Sequence, residues 1–409
     1  MQLSRARALG AAVWAAGLLG LAPAFAAAQP SPVEIGAAAT AFREAGGPLN
    51  MFVLTPEADV LVQPSEGLAV HAEWTADIVS GASVAVVDAP AANVDAISAA
   101  SVQDVRHVFG GGARVQDGQS TLSAGYHYGF ENDYRSHAID VNARTELYDR
   151  NTALEIGYAR AFDSVCDGPG ASDAPLKARL DSSDGCFDDS DPDRRERDLN
   201  AHTFLGAWTQ QWTPILSMQA AATAQLLNGF QSNPYRAVRI GRGAAQEHHP
   251  DDRARYAASV SLRIWIKPLS GALQPSVRVY RDTWDVRSFS GELGYEQSIG
   301  SGLRLRARGR FYTQTGAAFY SDDYVLDPRG QYFTGDRELS PMRTVLLGGQ
   351  FAWSVPSDAQ GDVIGFLSSL ELLLKADVLE SSFPDFHYDR APVPNTTALI
   401  GSLSVLAGF

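Results

Sequence analysis

Between residues 303 and 311 the chain reads Leu303-Arg304-Leu305-Arg306-Ala307-Arg308-Gly309-Arg310-Phe311. A β-strand sends successive side chains to opposite faces, so this string as a strand puts four arginines on one side and an apolar row on the other. Four guanidinium groups cannot form a dry core, because each buried charge needs a partner or water. The same period of two recurs along the chain. Val70, Ala72, Trp74, Ala76 and Ile78 alternate with His71, Glu73, Thr75 and Asp77, and Ile139, Val141, Ala143, Thr145 and Leu147 alternate with Ala138, Asp140, Asn142, Arg144 and Glu146. A third case sets Leu216, Met218, Ala220, Ala222, Ala224 and Leu226 against Ser217, Gln219, Thr223 and Gln225.

Sixteen segments carry this pattern: 33–45, 51–63, 67–80, 103–115, 119–131, 135–148, 152–164, 198–212, 214–228, 253–267, 272–283, 286–298, 302–315, 341–354, 366–379 and 396–409. Many exceed an ordinary globular strand and reach the ~9 to 11 residues that cross a bilayer at a tilt. Connections alternate between short ones, such as Asp117-Gly118 and Asp149-Arg150-Asn151, and long ones at 81–102, 165–197, 229–252 and 316–340, with a moderate one at 380–395. Together these features predict an all-β fold, a closed antiparallel transmembrane β-barrel of about 16 strands, with short turns on one side and long loops on the other. Fourteen strands is the alternative, because the first two segments are the least regular. A soluble two-sheet sandwich is disfavoured by its need to hide one apolar face against another, which leaves too much apolar surface and too many charges unplaced.

The ends of the chain agree with export. Arg5 and Arg7 precede the apolar stretch from Ala8 to Ala22, and Ala26-Ala27-Ala28 supplies a small-residue cleavage site, so residues 1–28 read as a signal peptide and 29–409 as the barrel. At the other end Leu399, Leu403, Val405, Ala407 and Phe409 share one face. That final strand must pair with the first, since only closure satisfies every backbone group in lipid. Its terminal aromatic is the expected contact for the barrel-assembly machinery, and outer-membrane lipid and lipopolysaccharide are the expected surroundings. A nucleic-acid partner is disfavoured: 47 acidic residues against 33 basic give a net charge of −14, and phosphate binding needs a basic surface.

Several strings are characteristic. Glu73-Trp74-Thr75-Ala76-Asp77-Ile78-Val79-Ser80-Gly81-Ala82-Ser83, Asn233-Pro234-Tyr235-Arg236, Pro250-Asp251-Asp252-Arg253-Ala254-Arg255, the stretch from Tyr280 to Trp284 and Tyr320-Ser321-Asp322-Asp323-Tyr324 resemble the bacterial domain of unknown function 3570 family over essentially the whole chain after residue 28. Ala41-Phe42-Arg43-Glu44 departs from the Tyr-x-Glu of that pattern. The resemblance implies an outer-membrane barrel and brings no activity, cofactor or catalytic residue with it.

Candidate sites come from the residues themselves. The ladder Arg304, Arg306, Arg308 and Arg310 is expected to face the lumen, with Glu292 and Glu296 on the polar face of the preceding strand within cross-strand reach. Two readings stand: a transverse field that selects solutes by charge, or a self-neutralising network that plugs the interior. Cys166 and Cys186 bracket a long loop, and in an oxidising compartment a disulfide there is expected, worth roughly 3 kcal/mol in the chain-entropy model. Asp189-x-Asp191-x-Asp193 begins like a calcium loop, yet Arg194 stands where the turn glycine belongs and Asn200 where the closing glutamate belongs, so a solvated acidic loop is the better reading and no metal is assigned. Glu247, His248, His249, Asp251 and Asp252 lack the fixed spacing of a metal site. No Gly-x-Ser-x-Gly, phosphate loop or dinucleotide fingerprint is present, and the expectation is a non-enzyme without a cofactor. His71 and His127 lie on polar strand faces and are expected to be lumenal hydrogen-bonding groups. The functional expectation is passive passage of small hydrophilic solutes, with a plugged barrel acting through its loops as a surface binding or assembly protein as the competitor.

Overall fold

The computed structural model describes residues 32–46, 51–80, 104–131, 134–167, 195–233, 237–240, 243–322, 324, 330–355, 363, 366–388, 391–393 and 395–409. In chain order the strands are β1 (Val33–Ala45), β2 (Met51–Ser65), β3 (Leu68–Ser80), β4 (Asp104–Asp117), β5 (Ser120–Phe130), β6 (Tyr134–Leu147), β7 (Thr152–Asp167), β8 (Arg195–Thr213), β9 (Leu216–Gly229), β10 (Ala237–Ile240), β11 (Gly243–Gln246), β12 (Asp252–Ile266), β13 (Gly271–Asp282), β14 (Arg287–Ile299), β15 (Leu303–Gln314), β16 (Met342–Ser354), β17 (Ser369–Ser382), β18 (His387–Tyr388), β19 (Ala391–Pro392) and β20 (Thr396–Gly408). Sixteen of them close into one barrel in the order β1 to β9, β12 to β17, β20, each antiparallel to its neighbours. The short pairs β10–β11 and β18–β19 are hairpins carried by the loops.

Closure joins the two ends of the chain. β1 and β20 pair from Glu34↔Gly408 to Ala45↔Thr397, and the Phe409 N–H donates to the Val33 carbonyl at 2.9 Å. The sixteen predicted segments each correspond to one barrel strand. β7 and β8 run beyond the predicted 152–164 and 198–212, pairing as far as Asp167↔Arg195.

The faces sort by chemistry. Outward positions carry Leu347, Leu374, Leu399 and Leu403, all more than half exposed, whereas the inward positions of the same strands hold the charged residues Glu371, Lys375 and Asp377 beside Leu346, Leu373 and Ile400. A soluble protein would hide such a surface; a barrel in hydrocarbon presents it to lipid. Buried apolar clusters sit mostly in the long-loop connections: Phe383, Phe386 and Val393 form one, and Trp284, Val286, Ala317 and Leu339 another.

Short turns occupy the end of the barrel where β1 begins and β20 ends. Gly118 and Gly300 supply the positive φ their turns need (57° and 60°). The β6–β7 turn instead places three consecutive non-glycine residues, Tyr148, Asp149 and Arg150, in left-handed geometry, held by Asn151 Nδ2, which donates to the Tyr148 carbonyl at 2.9 Å.

Candidate pore: the lumen wall and its loop cap

The four ladder arginines do face inward. Arg304 meets Glu371 at 2.8 Å, Arg306 meets Glu292 at 3.5 Å, and Arg308 makes a bidentate pair with Asp377 at 2.6 and 3.1 Å. Arg310 stands directly opposite Glu292 in register. One expected partnership is corrected. Glu296 stands directly opposite Arg306 yet pairs with Arg263 of β12 at 3.1 Å, while Arg306 reaches diagonally to Glu292.

The reason is that several of these bridges skip a strand. Arg308 on β15 reaches Asp377 on β17 across Gly348 of β16, the residue in register with both. A Cβ on Gly348 would collide with Asp377 Oδ1. Arg304 crosses β16 beside the buried Ala352, and Glu296 crosses β13 over Ala272, which is fully buried. The same device recurs on the far wall. Glu73 of β3 reaches His127 of β5 at 3.1 Å across Gly110, where an added Cβ would lie 2.7 Å from Glu73 Oε1 and 2.5 Å from His127 Nδ1. The other ring nitrogen of His127 faces Asp140 at 3.0 Å. An imidazole between two carboxylates donates from both nitrogens only as imidazolium. His71 also points inward, as expected, whereas His202 turns outward and bonds the Tyr158 hydroxyl at 2.9 Å.

Charge is segregated around the lumen. Inward positions of β1, β2 and β3 hold Glu34, Glu44, Glu57, Asp59, Glu73 and Asp77, with His71 the inward base among them. Inward positions of β12 to β15 hold Arg253, Arg255, Arg263, Arg278 and the ladder against only Asp282, Glu292 and Glu296, a net excess of base. β3 and β13 are eight places apart in the ring of sixteen, so the two walls oppose each other. On the acidic wall Asp59 stands directly opposite Glu73, a like-charge cross-strand pair that costs free energy unless water screens it. Many lumenal charges keep solvent, the Glu73 side chain at 38%, Lys375 at 33% and Arg306 at 29%, while Asp377 and the Arg253–Asp282 pair near the rim are sealed.

The cap at the long-loop end is different in kind. Glu247 and His249, part of the His/Glu cluster noted in the sequence, have side chains with 0% exposure. Glu247 accepts from the Asn233 N–H and from Thr334 Oγ1, each at 2.7 Å, and also faces His249 Nε2 at 3.4 Å. His248 pairs backbone to backbone with Phe333, and His249 packs edge-on against Trp284 at 5.1 Å. These residues therefore join the loop between β9 and β12 to the loop between β15 and β16. The latter loop reaches equally far in the other direction. Arg337 donates to both carboxylate oxygens of Glu44 on β1 (2.7 and 3.3 Å), and its guanidinium lies 4.8 Å from the Phe383 ring. Burial alone would lower the Arg337 pKa, but the carboxylates of Glu338 and Glu44 outweigh it and raise it above the ordinary value. Tyr320 and Asp322 tie in the β17–β20 loop, through the Asp385 carbonyl at 3.0 Å and His387 Nδ1 at 2.9 Å. One loop thus bridges the rim from the β9–β12 connection to β1, on nearly opposite sides of the mouth.

Cys166 is buried near the end of β7. Cys186 and Asp189, Asp191 and Asp193 lie outside the described residues. Among the described residues no cluster of three or more His, Cys, Asp or Glu side chains has the arrangement of a metal site.

No curated protein matches the chain. Among solved structures it is similar to a bacterial polysaccharide outer membrane secretin at 9% identity, with 93% of this chain and 99% of that chain covered and a TM-score of 0.49. It is also similar to the CymD monoaromatic hydrocarbon channel (8% identity, 93% and 89% covered, TM-score 0.38) and to the siderophore receptor PirA from Pseudomonas aeruginosa (10% identity, 92% and 81% covered, TM-score 0.38). A family model described as protein of unknown function (DUF3570) matches residues 8–364, which takes in the ladder, its spacer glycine and most of the cap, and the chain belongs to that family.

Proposed function

We propose that the protein is a porin-like passive channel of the bacterial outer membrane for small hydrophilic solutes. The observation that carries this reading is the contrast between lumen and cap. Glu73, Arg304, Arg306, Arg308, Lys375 and Glu371 on the barrel wall keep 21–38% of their side-chain surface, with Asp377 sealed beneath Arg308, whereas Glu247 and His249 in the cap keep none. A wall with a like-charge pair that only water can screen and with partly solvated ion pairs belongs to a water-filled interior. An excess of acid on β1–β3 and an excess of base on β12–β15, where Asp282, Glu292 and Glu296 offset only part of the arginine charge, give that water a transverse field that orders polar solutes.

The mature chain, refolded into detergent and inserted into a planar bilayer, is expected to show stepwise conductance. Arg306→Ala and Arg308→Ala remove charge from the basic wall and are expected to shift ion selectivity toward cations. A folded, inserted and silent barrel overturns the pore reading. The packed cap favours one competitor, a barrel closed at its mouth that acts through its loops as a surface binding or assembly protein, and silence would select it. No reaction or cofactor is proposed for either reading.

A Cys166–Cys186 disulfide belongs to the same proposal, as a staple on the β7–β8 loop. Its expected signature is faster migration of the folded chain on a non-reducing gel, abolished by Cys186→Ser, together with a stability loss of roughly 3 kcal/mol in that variant. Equal migration with and without reductant would remove the staple.

A further inference from the structure

Lipid-facing surfaces of a barrel are ordinarily carpeted with large aliphatic side chains, and most of this one is. Over β8, β9 and β12 it is not. Outward positions there are Gly206, Ala222, Ala224 and Ala258, and above them opens a groove of about 620 Å³. That volume lies within the roughly 300–1,000 Å³ of small-molecule sites. Phe204 and Tyr256, 46% and 44% exposed, stand at its sides. The register runs Phe204–Ala224–Tyr256–Arg281–Arg287, a single outward rung across five strands.

The two arginines are the unexpected part. Arg281 is the penultimate residue of β13 and Arg287 the first of β14, so both sit at the long-loop end, and both line the groove. They are directly opposite each other, a like-charge pair that costs free energy by itself. Among the described residues no carboxylate lies within ion-pair distance of either guanidinium. An apolar trough ending in two adjacent cations at the headgroup level is complementary to one kind of molecule, an acyl chain that ends in an anionic, phosphate-bearing headgroup.

We infer that the β8–β9–β12–β13 outer face binds a phosphorylated glycolipid of the outer leaflet, with an acyl chain over Ala222 and Ala224 and a phosphate between Arg281 and Arg287. The inference rests on the outer-membrane location proposed above.

The full chain, refolded into dodecyl maltoside, is titrated with diphosphoryl lipid A and with its dephosphorylated form, and bound lipid is read by native mass spectrometry. Wild type is expected to retain lipid A in preference to the dephosphorylated form. Each arginine contributes a charge-assisted contact worth about tenfold in affinity, so the Arg281→Gln, Arg287→Gln double variant is expected to bind about 100-fold more weakly. Ala222→Leu with Ala224→Leu fills the trough without touching the cations and is expected to weaken binding as well. A heat-dependent gel shift confirms that each variant is folded; both pairs of substitutions face lipid. Equal binding by wild type and both double variants overturns the site, as does equal binding of the dephosphorylated lipid. A dimer that disappears with Ala222→Leu and Ala224→Leu assigns the groove to a second copy and overturns it too. Membrane fractionation separates this from the location: absence of wild type from the outer membrane removes the location and the site together, whereas correctly placed wild type with phosphate-independent binding removes the site alone.

Discussion

Replacing Arg337 by alanine is expected to release the loop cap while leaving the barrel folded. Its side chain is 4% exposed and that of Glu44, the penultimate residue of β1, is 9% exposed, so the pair is sealed from water. Removing one partner of a buried pair leaves the other uncompensated, at a cost of about 3–5 kcal/mol. The same substitution removes the cation above Phe383, for about 1 kcal/mol more. Against this stands the remaining grip of the loop through Glu247, Thr334 and Trp284 on the β9–β12 side. Only one anchor is lost, and the expected result is a cap hinged at one side rather than a melted one. Conductance through the barrel should rise, and protease should cut between residues 315 and 341 at concentrations that leave wild type whole. Urea unfolding of the barrel itself should shift little, because β15 and β16 keep their full ladder. Replacing the pair by apolar residues, Arg337→Met with Glu44→Leu, should recover most of the loss, since the desolvation of both charges disappears with them. An Arg337→Ala protein with wild-type conductance and wild-type resistance to protease would show that the loop is not what closes the mouth.

The barrel was legible in the sequence because a period of two with unlike faces has few other homes. Strand number, order and closure follow from counting such segments, and the Arg304 to Arg310 string alone excludes a packed core on its polar side. The partners of that string were less legible. Cross-strand reasoning looks to the adjacent strand, and so offers Glu292 and Glu296; Glu292 does pair with Arg306, while the other bridges run over an intervening small residue to the strand beyond, to Glu371 and Asp377 on β17 and from Glu296 to Arg263 on β12. A usable signal was present: Gly348 and Ala352 lie on the inward face of β16 between charged positions of opposite sign, where a larger residue would block the span. The cap had no such signal. Loops 229–251 and 315–341 carry no period, and Glu247 with His249 resembles a fragment of a metal site until the chain from Gln331 to Leu339 is folded against it. Non-local packing of irregular backbone depends on geometry that residue spacing does not encode. The lipid-facing groove falls between these cases, since the run of alanines at 220, 222 and 224 is visible but the Arg281–Arg287 pair beside it appears only once the register is known.

Gly348→Ala is expected to be the most damaging single methyl that can be added to the lumen wall. Gly348 does not adopt a positive φ, so alanine meets no backbone strain there and would ordinarily stabilise a strand by about 0.5–1 kcal/mol. The obstacle is Asp377, whose Oδ1 occupies the space the new Cβ needs. That carboxylate is 1% exposed and holds both Arg308, through two hydrogen bonds, and Lys375 at 3.4 Å. Displacing it leaves two cations of the basic wall facing the lumen without it. Breaking a fully buried pair costs about 3–5 kcal/mol, and Arg308 keeps 21% of its surface, so about 2–3 kcal/mol is the expected loss, well above the gain from the alanine backbone. Because the charge itself is conserved, ion selectivity should move little while urea stability falls, whereas Arg308→Ala, which breaks the same bridge and removes a charge, should change both. The collision also makes a non-additive pair: once Asp377→Ala has removed the carboxylate, adding Gly348→Ala should cost nothing further and return the backbone gain. Additive losses in the double variant would mean that Gly348 is needed for some reason other than the space it leaves for the Arg308–Asp377 bridge, and the strand-skipping bridges would then no longer explain where this lumen places its glycines.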